Sequence, residues 1–310
     1  MKSDFKISIK KIVALSFAVC SFVFLLIFMR FCTNIFGEPK YIFVRQIPNL
    51  YLQYDTSELE HKIMISKKAG FIKVEDLKEI VLKKNESKFV LNKLKYCKNL
   101  EVVQISELGG KYYEGIDNLD FLIDSKLKTL CITCKVEDWS SLKKIDTLEN
   151  LDIGNVYGES KFSDISLISD FKNLKTLFIR TELNLSYEGI EKLNSVEEFS
   201  LYAPNRDIQQ ISKMHNLEEL YARGGKVENF DHIKTLRNLR SLVINNTSVS
   251  DISVLKELKK IEYLAVEYTE IEDYSVLFEL PNLKELRISE GELTNEELNR
   301  LKEKGVSVET

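Results

Sequence analysis

LRSLVI (239–244), IEYLAV (261–266) and LKELRI (283–288) decide the fold. They share one pattern, an apolar residue at the first, fourth and sixth places, and their starts are 22 residues apart. The pattern continues upstream as LEELYA from Leu217, VEEFSL from Val196, LKTLFI from Leu174 and LENLDI from Leu148. Three earlier copies follow: LKTLCI from Leu127, LEVVQI from Leu100 and LKEIVL from Leu77. From the first copy to the last, the spacings are 23, 27, 21, 26, 22, 21, 22, 22 and 22.

A second column tests the period. Six residues before each start every position is apolar, from Phe71 to Leu277. Three before, only Asp124 breaks the rule. Each unit therefore reads as a short strand with alternate residues inward, preceded by a helical turn with inward residues three apart. No unit can bury its apolar edge alone, whereas ten stacked units share one continuous core.

These units resemble bacterial leucine-rich repeats of the 22-residue, internalin type. The turn segments agree: SVSDISVL (248–255), KFSDISLI (161–168), EIEDYSVL (270–277) and KVEDWSSL (135–142). The resemblance implies an α/β, right-handed solenoid over residues 71–293. A curved parallel sheet would line its concave face, with short helical or 3-10 segments on the convex face. That family usually places Asn eight residues after each start, bonding backbone between coils. Here Asn85 alone does so, and Thr247 and Thr269 stand as partial replacements. The other corners need different partners for their buried backbone groups.

The solenoid ends need caps. Thr294-Asn295-Glu296-Glu297 reads as a capping box opening a C-terminal capping helix and tail over 294–310, with Leu298 and Leu301 inward and Gly305 as the helix stop. Residues 33–70 read as a spacer and a β-rich N-terminal cap, from the alternation in YIFVRQI, NLYLQY and HKIMIS.

Charge explains the remaining N-terminal part. Residues 1–40 hold six Lys/Arg and two acids, which leaves the rest of a chain of net charge -4 at -8. Ile12 to Met29, IVALSFAVCSFVFLLIFM, is an uncharged run of 18 residues. As a helix it spans about 27 Å, near the ~30 Å hydrocarbon core. A transmembrane signal anchor over 12–32 is expected, preceded by a basic cytoplasmic segment over 1–11 that holds Lys2, Lys6, Lys10 and Lys11. The repeats would then be extracytoplasmic. A cleaved signal peptide is the competing reading, although the run is longer than the usual 7–15 residues and no small-x-small site follows.

Function should sit on the sheet face that looks away from the core. Phe178, Arg180, Tyr202, Tyr221 and Arg223 fall on three successive units and should form one patch of the residue types that dominate interfaces. The two long units carry SELGGKYYEG (106–115) and GNVYGES (154–160), which present Tyr112, Tyr113 and Tyr157 on insertions just after the strand. Cys131 and Cys134 stand three apart on a strand, roughly 10 Å, too far for a disulfide. Three histidines, no HExxH, no phosphate-cradling Gly loop and no Ser/His/Asp grouping leave little for catalysis, a metal or a cofactor. The mild net charge gives no nucleic-acid footprint. The sequence thus points to a membrane-anchored module that binds a protein partner. A structural or glycan-binding envelope protein is the alternative, and stacked tyrosines would serve it.

Overall fold

The computed structural model describes residues 41–44, 70–83, 88–106, 115–154 and 161–310. The segment over 12–32 and the tyrosine-bearing insertions lie outside the described residues. Among the described residues, no helix is long and apolar enough to cross a membrane.

The strands are β1 (Tyr41–Val44), β2 (Gly70–Lys73), β3 (Glu79–Lys83), β4 (Val102–Ser106), β5 (Thr129–Ile132), β6 (Asn150–Gly154), β7 (Thr176–Arg180) and β8 (Glu198–Tyr202). They continue as β9 (Arg206–Asp207), β10 (Glu219–Tyr221), β11 (Val227–Glu228), β12 (Ser241–Val243), β13 (Tyr263–Ala265), β14 (Glu285–Arg287) and β15 (Ser307–Glu309). β3 to β8, β10 and β12 to β15 form an 11-stranded sheet in which sequence neighbours are spatial neighbours. Its pairs are parallel, because each strand returns after a crossover of one unit. The ten copies of the pattern each supply one strand. β1 and β2 pair antiparallel in a separate two-stranded sheet, and β9 and β11 make a small parallel pair of their own.

Side chains alternate along each strand. In β7, Leu177 and Ile179 are buried while Thr176, Phe178 and Arg180 are half-buried. The inward residues meet the short turns on the other layer, among them the 3-10 segments Ser140–Lys144, Phe230–Thr235, Ser253–Glu257 and Ser275–Glu279. Leu142, Ile233, Leu255 and Leu277, six residues before their starts, are fully buried in one continuous core. Three of these segments, and the turn Ile165–Leu167, are opened by an aspartate: Asp138, Asp164, Asp251 and Asp273 accept from the backbone N–H of Ser140, Ser166, Ser253 and Ser275. Those bonds hold Asp138, Asp251 and Asp273 below the ordinary carboxylate range. Their contribution is present above the unfolded value and lost as pH falls through the lowered one.

The corners are not left open. Arg206 Nη1 donates to Ala203 O at 2.6 Å, Thr247 Oγ1 to Ile244 O at 2.6 Å and Thr269 Oγ1 to Val266 O at 2.9 Å. All three cap a carbonyl at the end of a coil's strand segment. Bonding between coils comes from a different column, the residue just before each start. Asn99, Asn216, Asn238 and Asn282 donate to the backbone oxygens of Glu75, Asn194, His215 and Lys259 in the preceding coil. The ladder of asparagines is thus present, displaced to the strand entry. Thr247→Val keeps the shape of a buried side chain and leaves the Ile244 carbonyl unsatisfied. A loss of about 1 kcal/mol is expected, read as a lower urea midpoint at unchanged slope.

At the C-terminus a short helix, α3, covers the last coil (Asn295–Glu303), after α1 (Lys88–Leu94) and α2 (Ile208–Ile211). The capping box forms: Glu297 N–H donates to Thr294 Oγ1, and Thr294 N–H to Glu297 Oε2 at 2.8 Å. Leu301 is fully buried and Leu298 packs against the core. The residues beyond are not a tail. Gly305 takes φ 83°, and the chain turns back as β15 against β14, with Leu286 opposite Val308.

Candidate functional site

The outward residues form straight rows across the sheet. Phe178, Ser200, Tyr221, Val243, Ala265 and Arg287 are consecutive register partners, and Arg180 faces Tyr202. The predicted residues Phe178, Arg180, Tyr202, Tyr221 and Arg223 are therefore brought together, but they do different things.

Tyr202 projects. It is 45% exposed, with the Arg206 guanidinium 5.7 Å and the Arg180 guanidinium 6.0 Å from its ring centroid. Gly224 gives the ring room: at φ 74°, a Cβ there would lie 3.3 Å from Tyr202 Cε2. Two cations over one exposed ring restrict its motion and keep a large amphipathic surface ready.

Tyr221 does not project. It is 5% exposed and packs on Val243 and Ala265, with Tyr263 beside them. Its hydroxyl donates to Glu219 Oε2 at 2.7 Å, and Arg223 lies 5.8 Å from its centroid. Small neighbours in the same row let the ring lie down on the sheet, so it forms the floor. Burial and Glu219 push its phenol well above the ordinary range. Phe178 and Arg223 are half-buried beside it.

Two acids stand on that floor. Glu198 and Glu219 are register partners on adjacent strands. Burial, and then the charge of Glu219, raises the Glu198 carboxyl to about 7. At the other end of the row, Arg287 Nε donates to Glu309 Oε2 at 2.7 Å.

Tyr268 escaped the sequence reading. It is 71% exposed and has φ 55°. Asn246 takes the same left-handed corner one coil earlier, at φ 59°, and Gly224 one coil before that, at φ 74°. Gly and Asn adopt this conformation cheaply, whereas an aromatic residue is strained there by about 1 kcal/mol or more. The signal was a tyrosine in the column that holds Gly224 and Asn246 in the two coils before it. Leu183, Tyr202 and Tyr268 are the large hydrophobics exposed among the described residues, and all three follow or end strands of the sheet. Tyr112, Tyr113 and Tyr157 lie outside the described residues.

Cys131 and Cys134 are free, buried thiols. Cys131 Sγ donates to Asp152 Oδ2 at 3.5 Å, and burial raises its pKa well above the ordinary value. Such a thiol is a poor nucleophile. Among the described residues, no three His, Cys, Asp or Glu side chains are grouped to hold a metal ion.

No protein-family model and no curated protein sequence matches the chain. Solved structures do. An internalin from Listeria monocytogenes superposes with a TM-score of 0.54 at 19% identity, covering 77% of this chain and 83% of its own. A leucine-rich-repeat protein from Leptospira interrogans reaches 0.47 at 18% identity, over 76% and 73%. An internalin C2 from Listeria monocytogenes reaches 0.45 at 15%, over 72% and 87%. The long parallel sheet, its unit-by-unit register and the likeness to the first of these identify the fold as that of a leucine-rich-repeat protein.

Proposed function

We propose that this chain is a membrane-anchored protein-interaction module that engages a protein partner with the open face of its repeat sheet. The observation that carries this reading is Tyr202, an exposed ring at a strand end with two guanidinium groups within 6.0 Å of its centroid. Aromatic and arginine side chains supply most interface hot spots. A stacked-coil scaffold also loses little ordering entropy when a partner arrives. Replacing Tyr202 and Arg180 together by alanine should weaken partner capture at least tenfold, about 1.4 kcal/mol. Recovery of crosslinked complex from membranes measures this. Undiminished recovery with a native circular dichroism spectrum removes this surface from the account.

The anchor belongs to the same proposal. The 12–32 run would cross the membrane with the lysines of 1–11 in the cytoplasm and the repeats outside. Protease added to intact cells should then degrade the repeats and spare the N-terminal segment. Complete protection of the repeats would invert the topology.

A further inference from the structure

A groove of about 620 Å³ runs along the strand entries, at the opposite end of the strands from Tyr202. Its central row is Glu149, Lys175, Glu197 and Glu218, each one residue before β6, β7, β8 or β10. Backbone bonds fix that row: the N–H groups of Lys175, Glu197 and Glu218 donate to the carbonyls of Glu149, Lys175 and Glu197 at 2.7–2.9 Å. Elsewhere along the row the side chains pair, Lys78 with Glu101, Lys128 with Glu149, and Glu262 with both Arg240 and Lys284. In the groove the pairing stops. Among the described residues, none bonds or pairs with the exposed side chains of Lys172, Lys175, Glu197 and Glu218. The asparagine ladder lapses at the same place. Asn173 stands one residue before its start, as Asn99, Asn216, Asn238 and Asn282 do, yet its amide makes no bond to the preceding coil. Asn194 lends its carbonyl to Asn216, while its own exposed amide is unengaged among the described residues.

We propose that this groove binds a neutral, linear oligosaccharide, whose hydroxyls bond to Asn173, Asn194, Lys175 and the Glu197–Glu218 pair. The site is separate from the Tyr202 surface and goes beyond the protein-partner reading. Its lining selects the ligand. Two unpaired carboxylates and two unpaired ammonium groups cancel, so a polymer of either charge gains from one pair and loses to the other. A sugar hydroxyl donates and accepts at once, so it serves carboxylate, amide and ammonium alike. Among the described residues, no apolar side chain lines the groove to bury those of a peptide. The volume falls within the roughly 300–1,000 Å³ of small-molecule sites. From the coil of Glu149 to that of Asn238 the groove crosses four strand spacings, roughly 19 Å, so successive rings of one chain meet successive coils. The hydroxyls replace water that already solvates exposed groups, which keeps the affinity modest.

The test is a saturation-transfer NMR titration of the full chain in a detergent without a sugar headgroup. The probes are cellotetraose, maltotetraose and the tetramer of N-acetylglucosamine, with an octapeptide of alternating glutamate and lysine as the peptide control. Saturable binding of at least one tetrasaccharide is expected, with a dissociation constant on the order of 1 mM and little change with salt. Asn173→Ala with Asn194→Ala should weaken it at least about fivefold. Neither amide bonds within the described structure, so the variant keeps its fold, which circular dichroism checks. Tyr202→Ala should leave sugar binding unchanged. Saturation by none of the three sugars, equal binding by the double variant, or loss on Tyr202→Ala overturns the proposal. So does peptide binding tighter than every sugar and sensitive to the double variant, which would assign the groove to a peptide. None of these outcomes bears on partner capture through Tyr202, so the two readings stand or fall separately.

Discussion

Phe199→Ala is expected to lower the unfolding free energy by about 3–5 kcal/mol. The ring is fully buried in the middle of the stack, between its register partners Leu177 and Leu220. Removing it deletes apolar contact on two sides at once and leaves a cavity that the flanking coils can close only by breaking sheet register. Each coil touches only its neighbours, so the damage is local first. Amide exchange should accelerate most in β7, β8 and β10, and less in β13 to β15. Urea denaturation measures the total. A change under about 1 kcal/mol would mean that the units do not share one core.

Glu198→Gln should have the opposite sign, and only in one pH window. The folded state holds the Glu198 proton up to about 7, against an ordinary 4.5. Over that interval the native protein binds more protons than the unfolded chain, so its stability falls as pH rises and is level above the interval. The full displacement corresponds to about 3 kcal/mol. With part of the side chain open to solvent, we expect about 2 kcal/mol. At pH 8 the variant should therefore be more stable than the parent by that amount, and at pH 4 the two should coincide. Thermal melts at both values check this. Equal stabilities at pH 8 would show that Glu198 ionises without cost.

The strands and their register were legible because an apolar period of about 22 residues has one physical meaning: each unit must bury its edge on the next. The burial of Leu142, Ile233, Leu255 and Leu277 follows from their place six residues before a start. Other features resisted for identifiable reasons. The inter-coil ladder of Asn99, Asn216, Asn238 and Asn282 lies one residue before the start rather than eight after it. A search fixed on the family's position passes over it. β15 is hidden in the sequence because Gly305 stands where a start leucine belongs and Val308 alone keeps the pattern. Whether an outward residue projects or lies flat depends on the sizes of its neighbours in the next coils. That context separates Tyr221, lying over Val243 and Ala265, from Tyr202 beside Gly224. Strand alternation alone treats the two alike.

Tyr202 and Tyr268 are both displayed where strands of one sheet end, yet they lie several coils apart. A partner that covers both must run along the strand ends, over the coils that lie between them. Strain at Tyr268 that its own packing does not repay is consistent with a side chain kept for contact.

Photo-crosslinking in intact cells tests the central claim most directly. A benzophenone amino acid would replace Tyr202, Tyr268 or, on the opposite layer, Lys256 in the Ser253–Glu257 turn. The account predicts one discrete protein adduct shared by positions 202 and 268 and absent from 256. Adducts of equal yield from all three positions, or from 256 alone, would contradict it.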